Sequence, residues 1–110
     1  MTDIKEVIVK PIVYILELER SKYYVGITLN LNMRLGQHYN DDGSKWTKQY
    51  KPVRLVEVVY PANPLTEKNK TLEYMRKYGW ENVRGYAWCQ LEMKNPPIEL
   101  KVEELVIEDQ

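Results

Sequence analysis

The chain has 110 residues, 44% hydrophobic and 29% charged, with a formal net charge of zero; that is enough for one modest core and too little for two domains. Its single cysteine, Cys89, excludes an internal disulfide and has no second thiol or histidine at ligand spacing, which removes structural zinc and leaves Cys89 as a buried or half-buried small residue. The longest apolar runs are a few residues and the N-terminus lacks a secretory core, so the expectation is an intracellular protein with no membrane partner.

Residues 8–18 are dense in Val, Ile, Leu and Tyr and read as a strand. A polar turn, Glu19 to Lys22, leads to a second, antiparallel strand over Tyr23 to Ile27, where Gly26 marks a close approach by a backbone or a ligand. Thr28 or Asn30 caps a helix to about Tyr39, in which Leu31 and Leu35 form an apolar stripe beside Arg34 and His38. Ser44 to Tyr50 reads as a short helical turn, Val53 to Tyr60 as a third strand, and Thr66 to Tyr78 as a helix with Leu72 and Met75 inward and Gly79 as its stop. After Pro96-Pro97 the apolar residues fit either a strand or a helix, and the proline favours the helix. The expected fold class is α/β (α+β): one domain over residues 1–110 with a small three-stranded sheet and helices packed on it.

The neutral total conceals an uneven distribution. From Arg20 to Arg54 seven basic residues face Asp41 and Asp42, a net of +5, whereas from Glu92 onward two lysines face six acids, a net of −4. A basic half suits a nucleic-acid partner, and a solvated surface explains it equally well. Nine tyrosines beside no phenylalanine point to half-wet surfaces, since tyrosine combines apolar area with a polar tip.

Two tyrosines on neighbouring strands, Tyr14 and Tyr24, can each offer a phenol to a reacting water. Arg34 and His38, at i and i+4, leave one side of a helix. A guanidinium stays charged and holds two phosphate oxygens at once, so the combination suits phosphodiester chemistry. Either tyrosine could be the general base, with the other orienting water or phosphate; Tyr14, mid-strand, is the favoured one. His38 relays a proton or contacts the phosphate. Lys45 and Lys48 around Trp46 interleave cations with an aromatic in the manner of strand-tracking surfaces, or form an ordinary exposed face.

The order of these features resembles the GIY-YIG endonucleases. Ile12-Val13-Tyr14 and Tyr24-Val25-Gly26 stand where that family has its two triplets, Arg34 and His38 follow, Glu67 comes later on a helix, and Asn82 later still. The segment from Glu67 to Gly85, with Asn-Val-Arg-Gly at its end, is similar to a stretch in large-DNA-virus members. Motif-bearing sequence covers residues 12–85, leaving 86–110 as an extension. Ile12 departs from the family's usual glycine, a change a strand tolerates. The resemblance implies a three-stranded antiparallel sheet flanked by helices and a DNA-cleaving nuclease using one Mg²⁺ or Mn²⁺. Glu67 would be the metal ligand; Gly26, Lys45, Trp46, Lys48 and Arg84 would meet substrate, Asn82 would contact a phosphate or hold the loop after the helix, and a partner protein could supply targeting. The rival expectation is a non-catalytic nucleic-acid-binding or protein-interaction module on the same fold.

Overall fold

The structure is a computed structural model that describes residues 9–102. Strands β1 (Ile12–Leu18) and β2 (Lys22–Thr28) form an antiparallel hairpin in which Tyr14 lies opposite Gly26 and Leu16 opposite Tyr24. A 3₁₀ turn, Glu19–Ser21, joins them; the expected strand start at residue 8 lies outside the described residues. Helix α1 (Leu31–Tyr39) is capped by Asn30, whose side chain accepts from the Met33 N–H, and α2 (Lys45–Gln49) is capped by Ser44 through the Thr47 N–H. Strand β3 (Pro52–Val59) pairs antiparallel with the other side of β1. Helix α3 (Pro64–Tyr78) opens with a capping box between Asn63 and Thr66 and stops at Gly79, at φ 94°.

The sheet has four strands, which corrects the expected three. β4 (Val83–Gly85) pairs parallel with β2, Tyr24 opposite Arg84, giving the order β3-β1-β2-β4. Parallel pairing needs a crossover, and α3 supplies it. Three residues carry no readable alternation, so this strand is invisible to periodicity.

Side chains alternate across the sheet. Val13, Ile15, Tyr23 and Val25 pack with Tyr74 and Met75 of α3, while Tyr14, Leu16, Leu18 and Tyr24 pack with Leu31 and Leu35 of α1 and Trp46 of α2. A sheet covered on both faces accounts for strands that are apolar at nearly every position. The half-wet reading holds for Tyr39, Tyr50, Tyr60, Tyr78 and Tyr86, which are half-buried or exposed, and fails for Tyr14, Tyr23, Tyr24 and Tyr74, which are buried. Buried phenols find polar partners inside, among them Tyr14 on His38 and Tyr74 on Glu57. Residues 98–102 are helical, in keeping with the helical reading of the tail, and 103–110 lie outside the described residues. Among the described residues, no helix is long and apolar enough to cross a membrane.

Candidate active site

The site begins with a glycine that makes room for a ring. A methyl on Gly26 would overlap Cζ and Oη of Tyr14 and come within 2.8 Å of its Cε1. Glycine leaves that space open, and the fully buried Tyr14 ring fills it, 6.3 Å between centroids from Tyr24.

From the same face α1 contributes two side chains one turn apart. Arg34 lies within electrostatic reach of both phenols and donates from Nη1 to Gln37 Oε1 at 2.7 Å. His38 has no exposed surface. Its Nε2 lies 2.7 Å from the Tyr14 oxygen and its Nδ1 2.9 Å from Thr47 Oγ1, and its ring is 5.1 Å between centroids from that of Tyr24.

These contacts and their burial set the charge states. Burial pushes the Tyr14 phenol far above its ordinary range, and the neighbouring Tyr24 adds to the rise while Arg34 opposes it. Tyr24 is raised as well, by burial and then by Cys89. Burial and then the Arg34 charge push His38 down to about 4, so the imidazole is neutral at pH 7. Burial works against the charge of Arg34, but the two phenols hold its pKa above the ordinary value. The carboxylate of Glu67, in the first turn of α3, raises both phenols, which brings it within electrostatic reach of the same centre. Its own carboxyl is raised by burial, partly offset by a backbone hydrogen bond from Tyr86.

Among the described residues there is no group of three or more His, Cys, Asp or Glu side chains that could hold a metal. One partly buried carboxylate that burial disfavours as a bare anion does fit Mg²⁺ or Mn²⁺, hard cations that keep several waters and take one or two carboxylates. Beside the centre, a cleft of about 590 Å³ lined by Ser44, Lys45, Ala87, Cys89, Gln90 and Leu91 opens between the start of α2 and the segment after β4.

The GIY-YIG catalytic domain, as a sequence profile, matches residues 10–77. The chain belongs to the GIY-YIG family. That places it in a nuclease family. It is 48% identical over 44 residues to a UPF0213 protein in the VLF1-GP41 intergenic region of Autographa californica nuclear polyhedrosis virus, covering 40% of this chain and 42% of that protein. UPF0213 proteins of Streptococcus pneumoniae (36% over 47 residues, 43% of this chain and 48% of theirs) and Cupriavidus pinatubonensis (36% over 50 residues, 44% and 56%) are also similar. The chain spans about half the length of the curated relatives it matches. No solved structure matches it.

In this GIY-YIG domain Tyr14, Tyr24, Arg34, His38 and Glu67 converge as their order suggested, and Ile12 enters β1 opposite Thr28 without disturbing the pairing. The residues expected to touch substrate divide. Lys45 and Lys48 are exposed on α2. Gly26 has its open side occupied by the Tyr14 ring. Trp46 is buried in the core, with Nε1 donating to the Tyr23 carbonyl at 2.9 Å, which corrects its expected place on a base-stacking surface. Arg84 is corrected likewise: it is buried, donates to the carbonyls of Trp80, Val83, Gln90 and Leu91, and lies 4.2 Å from the Trp46 ring centre. A guanidinium so engaged has few donors left for phosphate. Asn82 donates to the Tyr78 carbonyl and accepts from Lys22 Nζ at 2.7 Å, bracing the turn after α3. Cys89 is exposed, where a buried or half-buried residue was expected; its thiol donates to the Tyr86 carbonyl.

Two neighbours of His38 escaped the sequence. Thr47 meets Nδ1, and Gly43 lies so close to the ring that a methyl there would overlap Nδ1. Thr47 lies within the short helical turn expected from Ser44, and Gly43 closes the polar stretch Asn40-Asp41-Asp42-Gly43 that follows α1.

Proposed function

We propose that the chain is a divalent-metal-dependent endonuclease that hydrolyses DNA phosphodiester bonds. The observation that carries this reading is the triple contact of Arg34 with Tyr14 and Tyr24 and of Tyr14 with His38, with Glu67 in electrostatic range.

A buried phenol raised so far holds its proton at neutral pH, so Tyr14 cannot work as a standing phenolate. It takes a proton from the attacking water only while giving up its own, and the neutral imidazole of His38, 2.7 Å away, is the acceptor. Arg34, fixed charged beside both phenols, meets the negative charge that grows on the phosphate in the transition state. Tyr24, its ring 6.3 Å from that of Tyr14 and 5.1 Å from the imidazole between centroids, orients the phosphate or the water. Glu67 is the residue that would hold Mg²⁺ or Mn²⁺, which when bound polarises the scissile phosphate and eases departure of the leaving oxygen. Exposed Lys45 and Lys48 track the strand along α2.

The test is purified protein with Mg²⁺ or Mn²⁺ against plasmid, flap, junction and single-stranded substrates, with Glu67→Gln alongside. Metal-dependent nicking that Glu67→Gln abolishes, with DNA binding kept, is the expected result. DNA binding without cleavage of any substrate would favour the non-catalytic module instead.

A further inference from the structure

We propose that Thr47 is a positioning residue that fixes His38 as its Nδ1–H tautomer, leaving Nε2 as the acceptor for the Tyr14 proton. The catalytic consequence rests on the nuclease reading above; the tautomer itself does not.

A threonine hydroxyl has one proton to give. Thr47 Oγ1 lies 3.1 Å from the Ser44 carbonyl oxygen, 2.9 Å from His38 Nδ1 and 3.2 Å from Ser44 Oγ. The Ser44 carbonyl accepts from the Lys48 N–H at 3.0 Å and has a second lone pair aimed at Thr47 Oγ1; we place the Thr47 proton there, as in the usual back-bond of a helical threonine, so that the lone pairs of Oγ1 face the imidazole. Nδ1 must then be the donor. The other end of the ring gives the same answer independently. Tyr14 lies 2.7 Å from His38 Nε2 and within reach of the Arg34 charge, which favours lone pairs of the phenol oxygen turned toward the guanidinium. With Nε2 as acceptor, the buried phenol proton has a partner on the imidazole. The opposite tautomer would aim two donors, Nε2–H and Arg34, at one phenol oxygen and turn the buried Tyr14 proton away from His38. It would also leave the Thr47 hydroxyl off the Ser44 carbonyl.

The backbone closes over this arrangement. Any side chain at Gly43 would overlap Nδ1 and sit 2.9 Å from both His38 Cε1 and Thr47 Oγ1, so the α1–α2 connection packs against the imidazole edge and holds it in plane. The groups facing His38 are Tyr14 on β1, Tyr24 on β2, Arg34 one turn earlier on α1, and Gly43 with Thr47. Arg34 alone among them is charged at neutral pH. In this tautomer Tyr14 turns lone pairs, not a proton, away from His38, which makes it a base; the opposite tautomer would make it an acid. Thr47 acts through His38 and touches no reacting atom.

His38 is the sole histidine, so its ring nitrogens can be read in uniformly ¹⁵N-labelled protein at pH 7 by two-bond ¹H–¹⁵N correlation. The wild type should show a protonated Nδ1 and an unprotonated Nε2. Thr47→Val, isosteric but without the hydroxyl, should shift the ring to Nε2–H or a mixture and lower kcat by at least about tenfold with KM unchanged, the pattern of a lost orienting partner. Thr47→Ser should restore the tautomer and the rate together, which separates the hydroxyl from simple packing. A wild-type ring protonated at Nε2 would overturn the proposal, as would Thr47→Val protein that keeps Nδ1–H. The expected tautomer in a protein that cleaves nothing would support the lock and count against the nuclease reading alone.

Discussion

Gly26→Ala tests whether the close approach of Tyr14 to β2 is what builds the site. The added methyl would overlap Cζ and Oη of Tyr14, and relieving that contact to an ordinary carbon separation of about 3.5 Å requires a shift of roughly 1 Å. β2 cannot give way easily, because it is paired with β1 on one side and β4 on the other. The ring therefore moves. The Tyr14 to His38 hydrogen bond, now 2.7 Å, would stretch beyond the range in which it counts as one. Overpacking of this kind costs about 1–3 kcal/mol of stability, and a displacement near 1 Å at a reacting group costs about a hundredfold in rate. Urea unfolding gives the first quantity and single-turnover cleavage at saturating metal the second. A Gly26→Ala protein that cuts at the wild-type rate would refute the placement of Tyr14 as the base. Loss of rate with Tyr14 and His38 still hydrogen-bonded would shift the role to Gly26 itself, as a point of substrate approach.

Three further outcomes follow from the same structure. Trp46→Ala should lose about 3–5 kcal/mol in urea unfolding, the scale for truncating a buried aromatic, while the folded fraction keeps its DNA affinity; unchanged stability with weaker binding would return Trp46 to the surface role. Replacing Lys45 and Lys48 together with Ala should flatten the dependence of DNA affinity on salt by about two phosphate contacts, and an unchanged slope would remove α2 from the DNA face. His38 is held neutral with a folded pKa of about 4 against an ordinary 6.5, so the unfolded chain binds more protons between those values. Its contribution is full above pH 6.5 and is lost as pH falls toward 4, by about 3 kcal/mol in all, and His38→Gln should lack that part of the decline in pH-dependent unfolding curves.

The elements with strong local signals were legible: the apolar strands, a cap at Thr28 or Asn30 that the structure places at Asn30, and the Gly79 stop all rest on chemistry carried by a few adjacent residues. At the site, the spacing of Arg34 and His38 on one helix and the placing of Tyr14 and Tyr24 on neighbouring strands of one hairpin were legible for the same reason. Trp46 and Arg84 were misassigned because residue type cannot reveal which face of a five-residue helix is buried, nor that a guanidinium will be spent on backbone carbonyls. In α2 the short helix buries Trp46 and Thr47 and leaves Lys45 and Lys48 outside, so two adjacent pairs of side chains have opposite fates.

The strand that sequence could not show also bears on the placement of Glu67. Because β4 runs parallel to β2, both strands end at the same side of the sheet, and Tyr86, the residue after β4, emerges near the end of β2 that carries Gly26. There its backbone hydrogen-bonds Glu67. The helix that makes the parallel crossover is the helix that carries Glu67, so a single connection, β3 to α3 to β4, both delivers the carboxylate and builds the strand end that steadies it. With three antiparallel strands alone, Glu67 would reach the phenols of Tyr14 and Tyr24 without that anchor. Arg84 belongs to the same construction: buried within β4, it ties the carbonyls of Gln90 and Leu91 to those of Trp80 and Val83, closing the segment that carries Tyr86 back onto the sheet. Its contribution is therefore mechanical, and the proposed clamp on phosphate is left to Arg34, which stays charged beside both phenols.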